Sequence, residues 1–584
     1  MSQGTYRSSF GIELEGYIAW VRRVPVKTET GVIRKITEFS NPNPYPWGPA
    51  ANPLVIDSEI NKLSIEPIVH AKLADIIQQF LAETPGPRDT VVPSEFTPAD
   101  LGTADRSHLM TYRNWSVKHE VMSHEAIPWS CRAAMSGPNR GWLPFELCSP
   151  ALWATEVSYE EVRRVIQYLR ENLWLVTPHN SGLHVHYGNG FDYIPLGALR
   201  RIAGFLYAAD PVLVQVHPNR RKVYSYCLSP VLYSRLAHGC QAEWMEQELE
   251  EFPEEIPQKD KPIKDKPIKD KPKSAPLQEH RSRPRRRQTR CVCLCCICIC
   301  GGRSLHQFLE EPREYSAARN ESQPKEERPT AFRDNRYFGA RGALGSYEFN
   351  TSFQERFRLT DGDGWAKTEY DCPPPRPSPA MPIVAAVQEL LKCRKVETVA
   401  SLMMVYGSER PAYNFIAYGL MRHYYADMKR TIEFRQGAGS FDSEALVAWC
   451  RTCVRLCDFA RDVSDDVYWK IIIDCSEAVG EDDEGDDEEH VQWYDAFDLL
   501  AELGLPKEAQ VLHRFAQREN AAEAARNKVV KQYEQSSEID GERSEEDNKH
   551  SENSESFEGS EYSGIGMEAK MMRMFRPRFK RLGE

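Results

Sequence analysis

The sequence predicts an α+β protein: a β-sheet with one apolar and one polar face, and helices covering the apolar side. Two observations predict it. Four short stretches alternate apolar and charged residues at the period of a strand, and stretches with apolar residues at helical spacing lie between them. The clearest strand is Thr431-Ile432-Glu433-Phe434-Arg435-Gln436, which turns Ile432 and Phe434 one way and Glu433 and Arg435 the other.

Taken in order, Phe10–Glu15 sets Ile12 and Leu14 against Glu13 and Glu15. Residues 26–60 are rich in Pro, Asn and Gly and read as loop. Residues 65–82 read as a helix through Ile68, Leu73, Ile76, Ile77 and Phe80, and Pro85-Gly86-Pro87 ends it. Residues 108–130 hold Tyr112, Trp115 and Trp129 among charges and are expected to be strands or substrate-side loops. In Phe145-Glu146-Leu147 the acid stands between two apolar residues, and Tyr159–Leu173 follows as an amphipathic helix. Leu183-His184-Val185-His186-Tyr187 turns both histidines to one side, and Pro195–Val214 reads as the next helix. Residues 383–405 and 443–462 are predicted helices on either side of the 431–436 strand, and 491–530 as one or two more.

The predicted order is uneven. Residues 6–236 and 331–475 read as two parts of one domain, separated by a low-complexity insertion over 241–330. In it Lys-Asp-Lys-Pro recurs from Lys259 to Pro272, Arg281–Arg290 is basic, and Cys291–Cys300 is cysteine-rich. Thiolate metal binding, acylation and a translated non-coding segment are all open for that cluster, which is read as having no catalytic part. Residues 476–490 form an acidic linker, 491–530 a helical segment, and 531–584 a disordered tail whose end, Lys570–Arg581, is basic. That end is read as flexible and solvated.

A 41% hydrophobic and 10% aromatic content is enough for a large core. The net charge of −12 owes much to the C-terminal region and gives no reason to expect a nucleic-acid partner. No apolar run is long enough to span a bilayer, and the N-terminus lacks the apolar core of a signal peptide. An intracellular, cytoplasmic protein is therefore expected, with its 16 cysteines as free thiols. Cys450, Cys453 and Cys457 fall on one helix face, where core packing is expected over iron–sulfur or zinc binding. No Walker loop and no Rossmann fingerprint is present.

If the four strands share a sheet, Glu13, Glu15, Glu146, His184, His186, Glu433 and Arg435 share its polar face. Four crowded carboxylates stay ionised only with something cationic among them, and one arginine is too little. One or two divalent ions, Mg²⁺ or Mn²⁺, are the simple answer, and a neutral imidazole can join the carboxylates. Arg435 is then left to hold an anion such as phosphate. The other readings stay open: a solvated acidic strand, an ordinary Glu433–Arg435 ion pair, or the His-x-His of a metal-dependent hydrolase.

The same residues carry a family resemblance. Phe10–Glu15, Phe145–Pro150, Ser181–Gly188 and Thr431–Gln436 come in the order seen in an amidoligase family common in fungi, which resembles the glutamine synthetase and glutamate–cysteine ligase group. His217-Pro218 and Tyr413-Asn414-Phe415 resemble further family pieces. The resemblance implies a curved, mainly antiparallel sheet with a catalytic polar face. It implies an ATP-dependent carboxylate–amine ligase, working through an acyl phosphate on small-molecule carboxylate and amine substrates, with a protein or peptide substrate as a further option. It also implies that Glu13, His184 and Glu433 share one ion, and that Glu15 and Glu146 hold another. Arg435 would bind and stabilise the transferred phosphoryl group, and His186 would face substrate. Two positions depart from the family: Ser181 stands where cysteine is common, and Gly437 where histidine is common. If that histidine serves catalysis, a slow or inactive chain follows, so an inactive ligand-binding member of the same fold is the alternative.

Overall fold

The computed structural model describes residues 7–28, 31–36, 51–57, 65–84, 86–93, 110–120, 127–222, 227–251, 381–405, 410–419, 429–478, 494–525 and 528. The chain divides into two units, Met1–Asn520 and Ala521–Glu584. The sheet and site belong to the first; the described residues of the second, 521–525 and 528, are helical.

The first alternating stretch opens the longest strand, β1 (Ser9–Thr28), and the sheet is built around it. Strands β2 (Gly31–Ile36), β3 (Leu54–Ile56), β6 (Leu152–Trp153) and β7 (Leu175–Val176) pair with β1 along its length. The main path runs β4 (Ser116–Lys118), β5 (Arg140–Cys148), β1, β8 (Gly182–Gly188), β10 (Thr431–Ala438), β9 (Tyr413–Asn414). All these pairings are antiparallel except that of β1 with β3. The chain is thus an α+β mixture with a mainly antiparallel sheet.

Period-two alternation decides which way each residue points. Ile12 and Leu14 of β1, Phe145 and Leu147 of β5, Leu183 and Val185 of β8, and Ile432 and Phe434 of β10 all enter one core. Helices Glu156–Asn172, Leu196–Leu213 and Ser443–Asp462 contribute to the same core. Leu196–Leu213 is buried at every residue from Ile202 onward because Ile383–Lys392, Val396–Met403, Ser443–Asp462 and Asp465–Glu477 pack around it. Asp442 starts the Ser443–Asp462 helix by accepting the Ala445 N–H at 3.0 Å. Cys450, Cys453 and Cys457 are fully buried in the core, and burial pushes all three thiols up. On the other face of β1, Tyr17, Ala19 and Val21 join Trp142 and Trp174 in a second apolar cluster.

Three expectations are corrected. Residues 26–60 are expected as loop, yet β1 runs to Thr28 and β2 and β3 lie within that range, because pairing with the long first strand overrides the local Pro, Asn and Gly content. Residues 383–405 are two helices, Ile383–Lys392 and Val396–Met403, with Cys393 non-helical and Lys395 extended between them. Partners from other helices take the freed backbone groups: Arg200 donates to the Leu391 and Cys393 carbonyls at 2.9 and 3.1 Å, and Glu246 accepts the Arg394 N–H at 2.6 Å. The low-complexity insertion was expected from 241, yet Ala242–Glu251 is a helix with Ala242, Met245 and Leu249 in the core. Its glutamates made it look like part of the charged run. The expectations for Cys291–Cys300, the start of the second part over 331–380, the acidic run 481–489 and the basic end lie outside the described residues.

Candidate functional site

The polar face can be built from strand register alone. Glu13 of β1 lies between Cys148 of β5 and His184 of β8, and Glu15 lies opposite Glu146. His186 lies between Gly11 and Glu433 of β10, and Glu433 in turn lies opposite Asn414 of β9. At the far edge Lys118 of β4 pairs with Glu146. The structure therefore brings Glu13, Glu15, Glu146, His184, His186, Glu433 and Arg435 to one side of one sheet.

Contacts between side chains follow from this register. His184 Nδ1 is 3.7 Å from Glu13 Oε2 and 3.5 Å from Glu433 Oε1, and its Nε2 is 3.6 Å from Glu15 Oε1. His186 Nε2 is 3.2 Å from Glu13 Oε2. Glu433 accepts hydrogen bonds from Arg435 Nη1 at 2.5 Å and Asn414 Nδ2 at 2.9 Å. Glu15 accepts the Gly182 N–H at 2.6 Å. This contact explains the Ser-Gly-x-His pattern: a Cβ at Gly182 would stand 2.8 Å from His184 Nε2 and 3.3 Å from Glu15 Oε2.

Sequence reasoning missed two residues here, and they change the charge balance. Lys429, just before β10, meets the Glu13 carboxylate in an ion pair and approaches His186 Nε2 at 3.2 Å. Lys118 Nζ is 3.7 Å from both Glu13 and Glu146. With Arg435, three cations face four carboxylates, so charge balance alone no longer calls for a metal ion. The signal for Lys118 was present, because Trp115-Ser116-Val117-Lys118 itself alternates. Lys429 precedes its strand beside Arg430 and reads as an ordinary basic pair.

Burial and neighbours set the protonation states. Burial raises the Glu13 carboxyl, but His186, His184 and Lys429 outweigh it and hold it well below the usual range. Burial likewise opposes Glu433, yet Arg435 and the two histidines bring it to about 2. Glu146 is pushed up by burial and by Glu13, and Cys148 to about 12 by burial and both glutamates. Burial and Lys429 lower His186 despite Glu13, which leaves a neutral imidazole at pH 7. His186 Nε2 stands 3.2 Å from both the Lys429 ammonium and the Glu13 carboxylate, and its Nδ1 is 3.0 Å from Thr431 Oγ1.

The donor set fits a divalent cation. Among the described residues, Glu13, His186 and Glu433 bring donor atoms within 4.8 Å of one another, and so do Glu13, Glu146 and Cys148. His184 Nδ1 is buried without a hydrogen bond and lies between two carboxylates. His186 Nε2, which shares the Lys429 ammonium with Glu13, is a second imidazole nitrogen within reach of the same acids. The two groups divide the acids differently from the pairing expected by resemblance: Glu146 meets Glu13, while Glu15 turns to Gly182 and His184.

The departure at Gly437 also gains a geometry. A Cβ there would meet the Leu183 carbonyl oxygen at 2.6 Å and the Trp449 indole at 2.9 Å. Trp449 belongs to the helix-side core, so this position points away from the acids.

Residues 88–257 match a family model described as "Putative amidoligase enzyme". The match contains Glu146, His184 and His186, while Glu13, Glu433 and Arg435 lie outside it. No curated protein and no solved structure matches the chain. No helix among the described residues is long and apolar enough to cross a membrane.

Proposed function

We propose that this chain is an ATP-dependent carboxylate–amine ligase with a glutamine synthetase-like catalytic sheet. One observation carries the reading: three acids and two imidazoles from β1, β8 and β10 converge on one wall, next to an arginine on the same strand as one of the acids. The amidoligase match over residues 88–257 supports the same class.

A substrate carboxylate oxygen attacks the γ-phosphorus of ATP and ADP leaves. An amine then attacks the acyl carbon and gives a proton to solvent, the C–O bond to phosphate breaks with its electron pair leaving on phosphate, and an amide remains. Glu13, His184, His186 and Glu433 would hold Mg²⁺ or Mn²⁺, with Glu15 and Glu146 as the neighbouring acids. The ion supplies positive charge against the phosphate oxygens. Arg435 is held by Glu433 with its guanidinium on the polar face, and this fixed charge stabilises the transferred phosphoryl group. His186, whose Nδ1 is 3.0 Å from Thr431 Oγ1, would be either a ligand of that ion or the group next to it that faces substrate.

The test uses hydroxylamine in place of the amine, with ATP, Mg²⁺ and pools of carboxylic acids. The proposal expects a hydroxamate and one ADP for each one formed. ATP binding without hydroxamate from any pool would favour the inactive ligand-binding alternative. Amide cleavage without ATP would favour the hydrolase.

A further inference from the structure

Each candidate cation group has a lysine seated on two of its three members. Lys429 Nζ meets Glu13 and His186 of the Glu13–His186–Glu433 group. Lys118 Nζ lies between Glu13 and Glu146 of the Glu13–Glu146–Cys148 group. We propose that Lys118 and Lys429 are built-in stand-ins for the divalent ions, displaced when the ions enter. The inference rests on the ligase reading above and adds a role for two residues which that reading does not use.

The physical argument is competition for shared donors. An ammonium and a divalent ion cannot sit on one carboxylate oxygen pair without strong repulsion, which grows as the distance shrinks. Lysine suits the part: it is a compact charge on a flexible stem and can withdraw without moving the backbone. Lys118 is 45% exposed at its side chain and has solvent to swing into. Lys429 lies 5.5 Å from the centre of the Tyr112 ring, whose face can keep the ammonium once Glu13 is taken. The acids thus stay balanced before an ion arrives, and each ion's entry releases a positive group beside the site where anionic oxygens are handled.

The test is Mn²⁺ affinity, measured by calorimetry on the full chain with no nucleotide. Lys429→Met and Lys118→Met should each bind Mn²⁺ at least tenfold more tightly than wild type. Lys429→Arg keeps the charge and should stay near wild type. Should Lys429→Met fail to fold, Lys118→Met at the exposed position carries the test. Wild type binding Mn²⁺ as tightly as both methionine variants, or more tightly, overturns the exchange while leaving the metal reading standing. No Mn²⁺ binding by any of the proteins sinks the metal reading, and the exchange with it. Binding by the methionine variants alone would support the exchange in its strongest form.

Discussion

Glu13 meets both histidines and both lysines of the polar face. Its position follows from strand alternation alone, as do those of Glu15, Glu146, His184, His186 and Glu433, because a period of two forces every second residue to one side. Lys118 and Lys429 were harder to read, since a three-residue strand and a strand's approach give alternation little length to work with. Gly182 shows how tightly the wall is fitted, because its missing side chain leaves room for the His184 ring. Gly182→Ala should push His184 off its neighbours and lower cation-dependent ADP release about tenfold or more, as loss of supporting contacts around metal ligands does. Its melting temperature should change little. Unchanged turnover would mean that the position of His184 does not matter to the reaction.

At the scale of elements, the helices that carry the sheet are held by a few buried polar contacts. Glu161 of the Glu156–Asn172 helix is 2% exposed, accepts two hydrogen bonds from Arg88 at 2.9 and 3.0 Å, and takes the Trp115 N–H at 3.0 Å. It thereby ties the 86–93 segment and the approach to β4 onto one helix. Arg88→Met strands this carboxylate, and denaturant unfolding should show a loss of about 3 kcal/mol, the low end for a broken buried pair because Arg88 is partly exposed. A loss near zero would show that solvent replaces the arginine. The predicted helices 65–82, Tyr159–Leu173, Pro195–Val214 and 443–462 match observed ones closely, because a long amphipathic pattern leaves little choice. The break at Cys393–Lys395 was not legible, because it depends on Arg200 and Glu246, which approach from other parts of the chain.

At the scale of the whole molecule, Asp210 joins regions far apart in sequence. This fully buried acid accepts hydrogen bonds from Ser229 and, at 2.9 Å, from Gln436 of β10. Burial pushes its carboxyl up to about 7 against the hydrogen bonds of Ser229, Tyr413 and Gln436. In the unfolded chain it would ionise near pH ~4. Between these values the unfolded state loses its proton while the folded state keeps it, so this group's contribution to stability falls as pH rises through that window. Above about 7 both states are ionised and the loss is complete. Asp210→Asn should therefore gain on wild type steadily from pH ~4 to 7, by up to roughly 4 kcal/mol, in paired denaturant titrations. A difference independent of pH would mean that Asp210 is ionised in the fold throughout.

The central claim is that acids and imidazoles from distant parts of the chain form one cation-holding wall that activates a carboxylate with ATP. ADP release with Mg²⁺ over a mixed pool of acids and amines, compared across wild type, Glu13→Gln and Glu433→Gln, tests it most directly. The account predicts release by wild type that needs both an acid and an amine, and a fall of at least a hundredfold in each variant. Equal background release in all three proteins would contradict it.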